Sequence, residues 1–281
     1  MNYRHLYHAG NFADVMKHAL LVRLARSLQQ KPKGVLFLDT HAGRGSYDLA
    51  QAAKGDTLER QPEHPDGIGR LWEVSGMVAG LAEYVGLVRQ FDLGRNGRFY
   101  PGSPWLLRLL AREQDRLALC ELHPEEFQAL KAEFARAPRA SVHEMDGYLA
   151  LRAMLPSPER RALILIDPPY EAQAERTQLT TALREALARF PSGVYAIWYP
   201  LTERAGAAEF EAELRALPLP PTLAAELMVD PSAAGLRGCG LLIVNPPWQF
   251  EREADEVLQS LARLLSRADP ARAALRWLVP E

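Results

Sequence analysis

An α/β fold organised on a mostly parallel sheet is predicted by three observations. Short apolar, β-branched runs alternate with helical patterns along most of the chain, the signature of strands covered on both faces. The last two apolar runs are joined only by a Pro-, Ser- and Gly-containing turn, too short for a helical crossover, so the sheet ends in an antiparallel hairpin. With 281 residues, 48% hydrophobic and 24% charged, the chain can bury one large core and carry a small inserted subdomain.

The elements follow in order. Asn11 is placed to cap a helix over 12–28. An apolar strand over 35–39 then runs into a loop containing Gly43 and Gly45, followed by a helix. The stretch 53–101 breaks the alternation, being rich in Gly, Pro and charge around two helical patterns, Ile68 to Val74 and Val78 to Phe91. It reads as an inserted small helical subdomain, leaving 1–52 and 102–281 as the main domain. Strands are expected at 117–121, 141–145, 162–167, 193–199, 223–229 and 239–245, which with 35–39 makes a seven-stranded sheet. Helices are expected at 104–115, 125–136, 175–190, 204–217 and 252–267.

Composition excludes several classes. No uncharged run approaches the roughly 18 residues of a membrane span, and the start has no apolar stretch of signal-peptide length, so a cytoplasmic protein is expected. Cys120 and Cys239 make neither a disulfide framework nor a metal cluster. A net charge of −2 means that any nucleic-acid contact must come from local basic patches, for which Lys17, Arg23, Arg26, Lys31 and Lys33, and then Arg95, Arg98, Arg108, Arg112 and Arg116, are available. A solvated helix face accounts for most of these arginines.

The chemistry is carried by Asp167-Pro168-Pro169-Tyr170, entered from the apolar run Leu163 to Ile166. This is the pattern by which amino-group methyltransferases hold the nitrogen they alkylate. The exocyclic amine of adenine is a poor nucleophile because its lone pair is delocalised into the ring, and hydrogen-bond acceptors draw it toward a tetrahedral geometry. The Asp167 carboxylate and the backbone carbonyl of Pro168 can accept its two N–H bonds while Tyr170 stacks on the base. The prolines restrict the chain so that its carbonyls point outward instead of continuing the ladder.

A nucleoside cofactor fits the preceding strand ends. Gly43 and Gly45 let the backbone approach a ligand at the carboxyl end of a strand, the usual crevice of an open α/β sheet. Glu121 ends the next strand, where ribose hydroxyls are commonly bound; Asp146-Gly147 ends the third, where a carboxylate can take the amino group of a cofactor adenine; Asp167 ends the fourth. This order is the one expected of enzymes that use S-adenosylmethionine. A second corner, Asn245-Pro246-Pro247-Trp248, follows the presumed hairpin and reads as structural. At the amino end, Tyr3, His5 and Lys17 suit base stacking and phosphate contact; the His spacings give no repeated pair on one helix face and methyl transfer needs no Lewis acid, so no metal site is expected.

Together, the segments Tyr3 to His18, Leu38 to Gly45, Tyr100 to Pro104, Glu121 to Pro124, Leu163 to Tyr170, Asn245 to Trp248 and the closing Trp277 to Glu281 closely resemble the bacterial RlmJ family of 23S ribosomal RNA adenine-N6 methyltransferases. The resemblance implies a class I, Rossmann-like methyltransferase domain with a small helical insertion, using S-adenosylmethionine on one large-subunit RNA hairpin. Carried onto matching positions, it implies cofactor contacts at His18, His41, Ser103, Glu121, Asp146 and Gly147, a catalytic role for Asp167, which also borders the cofactor, and RNA contact by Tyr3. The expected partner is 23S ribosomal RNA, protein-free or in an early assembly intermediate, with the enzyme a monomer. From the residues alone, DNA adenine or a protein amide remains open as the acceptor, as does a non-catalytic RNA-binding protein that kept the fold.

Overall fold

The computed structural model describes residues 5–54, 61–93, 98–170, 174–202, 204–230, 236–266 and 272–281. Its strands are β1 (Leu36–Asp39), β2 (Ser46–Asp48), β3 (Phe99–Pro101), β4 (Arg116–Glu121), β5 (Ala140–Glu144), β6 (Ala162–Ile166), β7 (Val194–Leu201), β8 (Thr222–Met228), β9 (Gly238–Val244) and β10 (Arg272–Val279). Its α-helices are α1 (Phe12–Gln29), α2 (Leu49–Ala52), α3 (Ala79–Phe91), α4 (Ser103–Leu110), α5 (Pro124–Phe134), α6 (Gly147–Met154), α7 (Ala174–Arg189), α8 (Arg204–Arg215) and α9 (Phe250–Leu265).

The main sheet has the order β10-β8-β9-β7-β6-β1-β4-β5. β5, β4, β1, β6 and β7 are parallel, and β9, β8 and β10 alternate in direction beyond them. The seven expected strands are all present, and β8 and β9 form the expected antiparallel hairpin. The sheet is nonetheless eight-stranded: β10 lies outside the hairpin, paired with β8. Its run of Arg, Ala and Leu has little β-branched character, and edge pairing together with the bonds of Arg276 to Glu211 makes it a strand.

Parallel strands buried on both faces explain why apolar runs, rather than alternations, mark them. In β1, Phe37 joins one core with α1, α3, α4 and α9, while Leu36 and Leu38 join the other with α6, α7 and α8. Along α9, Phe250, Ala254, Val257, Leu258, Leu261 and Leu265 repeat at helical spacing and supply its buried face. α1 differs, being buried almost all round from Phe12 to Ala25 between the sheet and α3, α4 and α9. Asp14, Lys17 and His18 are buried polar residues within it. Such groups need partners, and theirs lie in the site.

The expected helix directly after the glycine loop is displaced. The chain first forms β2 and the single turn α2, and β2 pairs antiparallel with β3 to make the neck of the 53–101 segment. α4, which packs against β1 and β4, begins only after that segment returns, and Gly102 N–H donates to the Gly45 carbonyl at 2.8 Å to bring its start beside the loop. α4 also ends at Leu110, short of the expected residue 115, because Asp115 accepts from the Arg112 backbone and guanidinium and closes a turn there. From the 53–101 segment, Leu81, Tyr84, Val85 and Val88 of α3 enter the same core as α1.

Candidate active site

The parallel strands place their carboxyl-end residues along one edge. In spatial order these are Asp167 after β6, Asp39 at the end of β1, Glu121 at the end of β4 and Asp146 after β5. Chain order is not spatial order: the fourth acid of the sequence sits beside the first. β1 pairs β4 on one side and β6 on the other, the switch point at which open α/β sheets open a crevice.

At the β6 corner, Lys17 Nζ donates to Asp167 Oδ2 at 2.6 Å and to Asp14 Oδ1 at 2.8 Å. Burial opposes its charge, but the carboxylates of Asp14 and Asp167 together hold Lys17 well above the ordinary lysine pKa. Asp14 Oδ2 also accepts from Gly10 N–H at 3.0 Å, and Asn11 caps α1 by accepting from Ala13 and Asp14. Lys17, expected at a phosphate, is instead only 5% exposed and spanned by two carboxylates. The ion pair engages the Asp167 carboxylate through Oδ2.

Pro168 is buried and Pro169 exposed, and Tyr170 turns out of the corner with φ +52°. Its hydroxyl donates to the Trp198 carbonyl at 2.6 Å and its half-buried ring packs on Trp198 and Phe210. The ring is therefore held in place before any base arrives.

Around β1, Ser103 Oγ donates to Asp39 Oδ2 at 2.6 Å. Asp39 is fully buried, and burial, only partly offset by the Ser103 bond, pushes its pKa up to about 7. His41 lies against Tyr148, with 5.4 Å between ring centroids, and burial pulls its pKa down to about 4, so it is neutral near pH 7. Thr40 Oγ1 donates to the Leu165 carbonyl at 3.0 Å, so its 2.8 Å contact with His41 Nδ1 is one in which Nδ1–H donates, leaving Nε2 as an acceptor.

Two glycines are required by close packing at the strand ends. Gly43 has φ +60°, and a Cβ there would lie 2.5 Å from the Tyr47 hydroxyl; at Gly147 a Cβ would lie 2.3 Å from the Thr40 carbonyl. Glu121 Oε2 accepts from Gly43 N–H at 2.8 Å and Oε1 from His123 N–H at 2.7 Å. Asp146 caps α6 through Oδ1, which accepts from Tyr148 and Leu149. His18 is 2% exposed, and its Nδ1 lies 2.7 Å from the Tyr100 hydroxyl.

Thus the structure gathers Lys17, His41, Gly43, Ser103, Glu121, Asp146, Gly147, Asp167, Pro168 and Tyr170 at one edge, with His18 one position along α1 from Lys17. Tyr3 and the His5 side chain lie outside the described residues. The partners Asp14, Thr40 and Tyr100 were not identified from the sequence; the three-residue spacing of Asp14 and Lys17 on α1 signals their pairing, but not the approach of Asp167. The arginines proposed for a basic patch are largely paired: Arg23 with Glu83 and Glu253, Arg26 with Glu83, Arg112 with Asp115 and Arg116 with Glu159. The second corner sits at the other end of the sheet, where Asn245 Nδ2 donates to the carbonyls of Pro191 and Gly193 at 2.7 and 2.8 Å.

Residues 32–279 match the family model described as "Ribosomal RNA large subunit methyltransferase D, RlmJ". The chain is 40% identical over 283 residues to the Escherichia coli "Ribosomal RNA large subunit methyltransferase J" and 36% identical over 284 residues to the Haemophilus influenzae protein of the same name, each covering 100% of both chains. A crystal structure of protein LPL1258 from Legionella pneumophila is similar with a TM-score of 0.85 at 37% identity, over 96% of this chain and 97% of that one.

Proposed function

Because the chain belongs to the RlmJ family of large-subunit ribosomal RNA methyltransferases, we propose that it transfers a methyl group from S-adenosylmethionine to the N6 amine of one adenine in 23S ribosomal RNA. The observation that carries this reading is the Asp167-Pro168-Pro169-Tyr170 corner leaving β6 directly beside the glycine loop of β1, with its carboxylate tied to a buried lysine.

The strand ends fit a nucleoside cofactor. Gly43 and Gly147 let the loop after β1 and the start of α6 pack closely around the strand ends, Glu121 is a carboxylate for ribose hydroxyls, and Asp146 has a second oxygen for an exocyclic amine. In this reading His18, His41 and Ser103 complete the cofactor site. When bound, S-adenosylmethionine supplies an electrophilic methyl group.

The protein's own work is orientation and charge. Asp167 Oδ1 and the Pro168 carbonyl accept the two amine N–H bonds, while Lys17 keeps the carboxylate from rotating away. Tyr170, anchored through its hydroxyl, presents its ring to the base. Once alkylated, the nitrogen is acidic, and its proton passes to Asp167 or to water without a strong base. Tyr3 and His5 contact the RNA, which offers an unstacked adenine in a loop, bulge or open end, since a base inside a perfect duplex cannot reach the corner.

The working unit in this reading is a cytoplasmic monomer acting on protein-free or early-assembly RNA. Its body is 1–52 and 102–281, and 53–101 is an inserted helical segment. Incubating the protein with methyl-labelled S-adenosylmethionine and unmodified 23S ribosomal RNA, then digesting to nucleosides for mass spectrometry, tests it. N6-methyladenosine is expected; label found only on DNA or on protein would overturn the assignment.

A further inference from the structure

The turn that leads into α1 is held by the stretch 63–68 of the inserted segment. Glu63 N–H donates to the Tyr7 carbonyl at 2.9 Å, and Ile68 N–H donates to the Gly10 carbonyl at 2.8 Å. Between these two backbone bonds the Glu63 carboxylate accepts twice, from His8 Nδ1 at 2.9 Å and from Asn11 Nδ2 at 2.8 Å. Gly67 lets the two chains meet, since a Cβ there would lie 2.0 Å from the Gly10 carbonyl oxygen.

Glu63 is central to this clasp. Asn11 is 7% exposed and its amide is used at both ends: Oδ1 accepts from Ala13 and Asp14 to cap α1, and Nδ2 donates to Glu63. Without the carboxylate, a buried donor would lack its partner, which costs more than the bond itself contributes. From the same turn, contacts run to the catalytic corner. Gly10 N–H donates to Asp14, Asp14 accepts from Lys17, and Lys17 donates to Asp167. The turn is thus tied to the Asp167 corner on one side and to Glu63 and Ile68 on the other. Tyr7, 5% exposed, closes the short 3-10 turn His5–Tyr7, and Tyr3 precedes it by only four residues, at most about 14 Å of backbone. Where the turn is held therefore limits where Tyr3 and His5 can reach.

We infer that Glu63 is a positioning residue for the substrate RNA: with Ile68 it clasps the turn 7–11 and so sets where Tyr3 and His5 meet RNA beside the Asp167 corner. This rests on Tyr3 and His5 being the RNA contacts proposed above. It gives the 53–101 segment a part in RNA binding.

Glu63→Ala removes both side-chain bonds and keeps the backbone ones. Binding of the full chain to unmodified 23S ribosomal RNA, measured by filter retention, is expected to weaken about five- to tenfold, because a released turn holds the competent arrangement only part of the time. In turnover the loss is expected mainly in KM for RNA, with S-adenosylmethionine affinity unchanged by calorimetry. In a Tyr3→Ala/His5→Ala background, Glu63→Ala should weaken RNA binding no further, since the groups it positions are gone. Glu63→Gln, which offers one acceptor to two donors, should lose less and serves if Glu63→Ala does not fold. Unchanged RNA affinity in the Glu63 variants, or a loss that adds in full to that of Tyr3→Ala/His5→Ala, would overturn the clasp's role. So would an equal fall in cofactor affinity, which would mean that Glu63 only supports α1. Wild-type RNA affinity in Tyr3→Ala/His5→Ala would instead overturn the RNA contacts themselves, and the role of Glu63 with them.

Discussion

Two corners of this molecule share a sequence pattern and have opposite fates. Asp167-Pro168-Pro169-Tyr170 and Asn245-Pro246-Pro247-Trp248 each follow an apolar strand with a polar residue, two prolines and an aromatic ring. β6 runs parallel to the glycine-loop strand, so its corner opens at the crevice; β9 runs antiparallel to β7, so its corner opens at the opposite end. The polar residues follow suit. Asp167 meets a lysine through one oxygen, whereas the Asn245 amide is spent on two backbone carbonyls. The aromatics differ as well, Tyr170 being anchored by its hydroxyl and Trp248 standing 78% exposed. Strand direction, not motif, decides which corner can do chemistry.

The largest effect expected in this contrast comes from removing the lysine. Lys17→Met would leave the buried Asp14 and the half-buried Asp167 carboxylates without the lysine that spans them, at a cost of about 3–5 kcal/mol in unfolding free energy near neutral pH. Urea denaturation checks it; a loss below about 1 kcal/mol would mean the pair is solvated like a surface bridge.

The crevice end should also carry a pH dependence that the Asn245 end lacks. Asp39 has its pKa raised to about 7 from 3.8, so the folded state binds more protons than the unfolded one between those values. Its contribution to stability is present at low pH and is lost as pH rises through about 7, with a slope of at most about 1.4 kcal/mol per pH unit. His41 runs the other way, destabilising the fold as pH falls from 6.5 toward about 4. Comparing Asp39→Asn with the wild type isolates the first: the variant should gain relative stability from about pH 4 to about pH 7 and then level off. A pH-independent difference would place Asp39 in contact with water.

Next in size is the anchored ring. Tyr170→Ala should weaken use of RNA by about 1–3 kcal/mol of lost stacking, seen mainly in apparent substrate affinity. Unchanged affinity would remove Tyr170 from the base. The smallest effect belongs to the other corner: Asn245→Ala loses two hydrogen bonds at φ +55° and should cost about 1–2 kcal/mol of stability while leaving methyl transfer as it was.

What was legible in the sequence follows the same logic. The glycine loop, Glu121, Asp146 and Asp167 could be read because parallel strands end in the crevice, so a polar residue closing an apolar run already has an address. The inward turn of Lys17 could not, since a lysine near the start of a helix looks solvated until Asp167 arrives from 150 residues away. The hydrogen bonds that run from Tyr84 through Tyr100 to His18 depend on α3 folding back over α1, and no local pattern encodes that. β2, β3 and β10 were missed for a related reason: two are short, the third is an edge, and pairing rather than propensity makes them strands.

The most direct measurement is single-turnover methyl transfer to unmodified 23S ribosomal RNA, at saturating S-adenosylmethionine, by Asp167→Asn and Asn245→Ala side by side. The Asp167 corner predicts a rate about 10²–10³-fold below wild type for the first variant, with cofactor affinity within a few-fold, and a wild-type rate for the second. A wild-type rate for Asp167→Asn, or a collapse confined to Asn245→Ala, would contradict it.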